Sequence, residues 1–130
     1  MFGWLRRDNP PPLTGARTVR REKTYSAESG YVYRYFFCGQ RPTGRGMEFV
    51  WEAAADRHVV WPVSVFLSEA ALAPWQSARG RDLTGPERYA VAKMSLLRAF
   101  DHRPNPAAMR KEVLVRPDDV ASILETLGID

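Results

Sequence analysis

Tyr31-Val32-Tyr33-Arg34-Tyr35-Phe36-Phe37-Cys38 is the stretch that decides the fold of this chain. It is dense in aromatic and β-favouring residues and reads as a strand. Ala27-Glu28-Ser29-Gly30 before it has turn chemistry, and Thr18–Ser26 reads as a polar edge strand. Gly39-Gln40-Arg41-Pro42-Thr43-Gly44-Arg45-Gly46 after it reads as a loop, since glycine and proline at that density break regular elements. Met47–Ala54 and Val59–Leu67 supply two more strands around an Asp56-Arg57-His58 turn. Residues 18–67 are therefore expected to form a four-strand antiparallel meander.

Side chains alternate along a strand, so antiparallel partners share a face when their residue numbers have an even sum. With Tyr35 near Trp51 and Trp51 near Trp61, one face collects Tyr31, Tyr33, Tyr35, Phe37, Phe49, Trp51, Val59, Trp61, Val63 and Val65. That is the expected core face. The same register sets Arg34 opposite Glu52 on the other face, a cross-strand pair of roughly 0.2–1 kcal/mol. Pro62 cannot donate to a ladder, so its strand is expected to be an edge or to carry a bulge.

The rest of the chain reads as mainly helical. Ser68-Glu69-Ala70-Ala71-Leu72 has the look of a capped first turn, with a kink or restart expected at Pro74. Thr84 and Glu87 have capping-box spacing before a periodic stretch to Phe100, whose stripe is Tyr89, Ala92, Leu96, Leu97 and Phe100, with Arg88, Ser95 and Arg98 opposite. Glu112–Arg116 offers a fifth strand from the C-terminal region. Val120, Ile123, Leu124 and Leu127 follow helical spacing between Pro117 and Gly128. The expected class is α+β: an antiparallel meander of about four strands packed on one face by two to three helices.

The 130 residues are 45% hydrophobic and 26% charged, which argues against wholesale disorder. Residues 1–17, with Pro10-Pro11-Pro12, read as a flexible tail and 18–130 as a single α+β domain. A single cysteine, no apolar run of membrane-spanning length and no secretory h-region after Met1 point to a soluble cytoplasmic protein. Sixteen of the nineteen cations are arginine, beside fifteen alanines, a bacterial-like composition of the kind a GC-rich genome produces. Residues 1–46 hold nine cations against three acids, whereas residues 47–130 hold ten against twelve.

Chemistry-bearing motifs are sparse. The two histidines, His58 and His102, read as surface residues, and no metal or other cofactor is expected. Cys38 has no neighbouring base, and Glu48 and Glu52 stand about 13 Å apart along their strand, too far for a paired-carboxylate site. Lys93 interrupts the apolar stripe of its helix. Snorkelling explains it, and a buried lysine would instead be a functional candidate, though no catalytic partner can be named.

The expectation is thus a protein- or ligand-interaction module without catalytic activity, with a protein partner or self-association favoured. Its site would be the second sheet face, around Val32, Arg34, Phe36, Val50, Glu52 and Phe66. The alternative is a nucleic-acid binder using Arg20, Arg21, Lys23, Arg34, Arg41 and Arg45, with tyrosines for stacking. A small enzyme ranks third, for want of an acid, base and nucleophile constellation.

Overall fold

Four strands follow one another as a meander, and a fifth joins from the C-terminal third, in the computed structural model, which describes residues 11–56 and 59–130. They are β1 (Lys23–Ser26), β2 (Val32–Thr43), β3 (Gly46–Ala54), β4 (Val60–Leu67) and β5 (Val113–Leu114), in spatial order of sequence. Neighbours are antiparallel except β5, which runs parallel to β4. Three helices pack against this sheet: α1 (Glu69–Arg79), α2 (Gly85–His102) and α3 (Pro117–Leu127), with a 3-10 turn at Pro106–Arg110. The α+β class, the meander and the fifth strand are as expected from the sequence.

The odd-numbered face is the core. Tyr33, Tyr35, Phe49, Trp51, Trp61, Val63 and Val65 are buried against Leu72, Leu96, Phe100, Ile123 and Leu124 of the helices. Tyr31 and Val59, expected on that face, precede β2 and β4 and are exposed. From Arg34 to Phe37 of β2, and along β3–β4, the register has the expected parity but is displaced by two residues: Phe37, not Tyr35, faces Trp51, and Val63 rather than Trp61 faces it from the other side. Past the bulge the β2–β3 parity reverses, with Gln40 opposite Phe49 and Arg41 opposite Glu48.

The segment read as a loop is mostly strand. β2 runs through Gly39 and Pro42 to Thr43, leaving only Gly44 and Arg45 as the turn. Two devices permit this. A bulge between Phe37 and Gly39 absorbs the glycine at φ +130°, and Gly46 at φ +100° closes the hairpin. A side chain on Gly46 would put its Cβ 2.5 Å from the Leu67 carbonyl oxygen and the Ser68 Cα, so glycine is required there. Pro62 fits because β5 reaches only Val65 and Phe66, which leaves the outer side of β4 open beside the proline.

The edge strand expected over Thr18–Ser26 shortens to β1, and of the expected tail the described part is tethered: Thr14 and Gln40 exchange two backbone hydrogen bonds of 2.9 and 2.8 Å. Residues 1–10 and His58 lie outside the described residues. α1 continues through Pro74 without the expected restart. Thr84 and Glu87 form the expected capping box of α2, and Gly128 ends α3 in the left-handed conformation. Ser95, expected on the polar side of α2, is buried; its hydroxyl donates to the Val91 carbonyl within its own helix, so burial leaves the donor satisfied. Among the described residues, no helix is long and apolar enough to cross a membrane.

Candidate functional site

β1 covers the outer edge of β2 only as far as the Lys23–Tyr35 pair, and Thr14 covers it again at Gln40. Residues 15–22 between these anchors form no strand, and among the described residues the β2 edge from Phe36 to Gly39 gains no further strand partner. A cleft of about 520 Å³ lies there, within the size range of small-ligand sites. One wall is the 15–23 segment, which contributes Arg17, Arg20, Arg21 and Lys23. The opposite wall is the start of α2, where helical spacing stacks Gly85, Tyr89 and Lys93 on one side. Tyr35, Phe36, Phe37 and Trp51 form the floor, of which Trp51 is only 1% exposed and Phe36 and Phe37 are half-buried.

The electrostatics are one-sided. Among the described residues, five cations line the cleft and no carboxylate does. Among the described residues, none of the five takes part in an ion pair; the pairs that form engage Arg34, Arg41, Arg45, Arg81 and Arg88. Burial pushes the Lys93 ammonium below the ordinary lysine value, and the neighbouring Lys23 pushes it the same way. Burial raises the Tyr89 phenol, and the positive charge of Arg17 pulls against that rise. Arg20 lies 4.9 Å over the Phe36 ring, so it holds a cation at the rim without neutralising it.

The second sheet face is arranged differently. Val50 and Phe66 are 7% and 8% exposed, so the chain itself covers them, while Val32 at the sheet end is 51% exposed. Arg45 covers Phe66, its guanidinium 4.0 Å from the ring centroid, and donates a fork of 2.7 and 2.8 Å to Glu112. Arg41 donates to buried Glu48 at 2.8 Å, and the Ser64 hydroxyl donates to the other Glu48 oxygen. Burial alone would raise the Glu48 carboxyl, but those two hydrogen bonds and the nearby arginines hold it below the ordinary value.

The expected Arg34–Glu52 pair does not form. The two-residue displacement puts Phe36 opposite Glu52, and Arg34 instead reaches Glu22 at 3.7 Å and donates to the Asp56 carbonyl. The Cys38 thiol faces Glu52 at 3.6 Å; burial and that carboxylate push it up to about 11, so it stays protonated.

Of the six expected interaction residues, the structure brings all but Val32 into this covered or charged surface, with Phe36 also reaching the cleft. Of the six cations of the nucleic-acid alternative, it gathers Arg20, Arg21 and Lys23 in the cleft and commits Arg34, Arg41 and Arg45 to acids elsewhere. Arg17 is not among the six cations of that alternative, and Tyr89 reads from sequence as part of an apolar stripe rather than as a site residue. The available signal was Lys93 in its apolar stripe, which needed the 15–23 segment opposite it to acquire meaning. No group of three or more metal-ligating side chains converges among the described residues. Comparison with protein-family models, curated proteins and solved structures finds no match to this chain.

Proposed function

We propose that this protein is a binding module, without chemistry of its own, that takes an anionic ligand in the cleft beside β2. The observation that carries the reading is the lining: among the described residues, five cations, half-buried aromatic rings and no acid. Placing like charges together costs stability unless an anion joins them, and a cleft with low-dielectric walls concentrates the attraction. Cys38 is held as a thiol and Glu48 is locked between Arg41 and Ser64, which leaves each a poor nucleophile or base. A reducing cytoplasm suits the half-buried free thiol.

Titration of the protein with inorganic pyrophosphate by calorimetry tests this reading. Binding should weaken as salt rises, and an Arg17→Ala/Arg20→Ala/Arg21→Ala variant should lose most of it. Undiminished binding by that variant, or a larger loss from Arg41→Ala, would move the site to the other face of the sheet.

A further inference from the structure

Resting on the anion-binding reading, we infer that the ligand is a phosphorylated nucleoside, its phosphate held between Lys23 and Lys93 and its base laid against Tyr89 and Phe37. Lys23 begins β1 at the rim and Lys93 stands one helical turn beyond Tyr89, so the two ammonium groups approach from opposite walls of the cleft. Their mutual repulsion is relieved best by a compact group of more than one negative charge, which a phosphate supplies and a single carboxylate does not. Arg17 adds a planar fork suited to phosphate oxygens.

The aromatic side fits a flat partner. Phe37 and Tyr89 meet edge to face at 5.0 Å, and both are half-buried, so each keeps ring surface open to the cleft. Bases stack on such rings with little sequence preference. Among the described residues, the β2 edge beside them has no strand partner between the Tyr35 and Gln40 pairings, which offers backbone donors and acceptors to a base edge. A free nucleotide and a nucleotide within a single strand present the same chemistry here.

Calorimetry on the full chain separates the possibilities. The probes are adenosine 5′-monophosphate, adenosine, inorganic phosphate, a 5′-phosphorylated five-nucleotide oligoadenylate, and a tyrosine-containing poly-glutamate peptide. The inference expects the monophosphate to bind at least about tenfold more tightly than adenosine or phosphate alone. Lys93→Met should weaken it by about tenfold or more, Lys93→Arg should restore part, and Arg45→Ala should change nothing. If Lys93→Met lowers the melting temperature, Lys23→Met at the exposed end of β1 gives the same comparison. Tighter binding of the oligonucleotide assigns the source as a strand; equal or weaker binding assigns a free nucleotide. Phosphate binding as well as the monophosphate, or the peptide binding more tightly than it, overturns the nucleoside and leaves the anion site standing. If none of the anions binds, both readings fall.

Discussion

Tyr33 lies flat on Phe100, with ring centroids 4.2 Å apart and planes 8° from parallel. This pair joins the meander to the last turns of α2, and both rings are wholly buried. Truncation there removes packing from both layers at once, so Phe100→Ala should cost about 3–5 kcal/mol in urea unfolding. The Tyr33 hydroxyl has no hydrogen-bond partner among the described residues. Tyr33→Phe should therefore leave stability unchanged or raise it, because an unpaired buried hydroxyl costs about 1–3 kcal/mol. A loss of more than about 1 kcal/mol would show that the hydroxyl is bonded.

Gly46→Ala should be among the most damaging single changes, at about 3 kcal/mol or more by the same unfolding measurement. The left-handed backbone and the 2.5 Å approach to the β4–α1 junction act together, and neither can relax without moving the hairpin or the start of α1. Gly44→Ala, two residues earlier with nothing within 4 Å, is the control and should be nearly neutral. Equal effects at the two sites would contradict the role given to Gly46.

Alternation made the core face legible, since parity survives a displacement of two residues and Trp51 remains buried whichever odd-numbered partner it takes. The displacement itself was not legible. It depends on a hairpin whose strand passes through Gly39 and Pro42, residues that usually interrupt strands, and on a bulge that consumes Cys38. The Arg34–Glu52 pairing failed for the same reason. The cleft was out of reach for a different one: Arg17 and Lys93 are brought together only by folding, and no spacing along the chain encodes that meeting. Three basic residues between 20 and 23 and one misplaced lysine were its separate traces.

Acid should weaken the fold through carboxylates held ionised. Hydrogen bonds from Arg81 and from the Thr84 backbone pull Glu87 down from 4.5 to about 2. A depressed folded-state value means the stabilisation is complete above 4.5 and is lost as pH falls from there through about 2. Glu48 is shifted in the same direction and adds to the loss. Melting temperatures from pH 7 to pH 2 should fall in that window, and Arg81→Met should flatten the fall. An identical acid profile in the variant would show that Arg81 does not hold Glu87.

Thr84→Ala removes the hydroxyl that accepts from the Glu87 backbone at the start of α2, 3.3 Å away. It should cost about 1 kcal/mol, as other cap losses do, and Thr84→Ser should recover most of that. Because Gly85, Pro86 and Tyr89 of the same first turns line the cleft, the variant should also weaken anion binding. A binding constant unchanged in a destabilised Thr84→Ala protein would mean that the cleft does not depend on the position of this helix end.

Backbone amide chemical shifts followed while inorganic pyrophosphate is added test the cleft most directly. The account predicts saturable shifts in residues 15–23, at the β2 edge around Phe36 and Phe37, and at Tyr89 and Lys93, with Glu48, Ser64 and Phe66 unmoved. Shifts centred on Arg41, Arg45 and the second sheet face, or none anywhere at low salt, would contradict it.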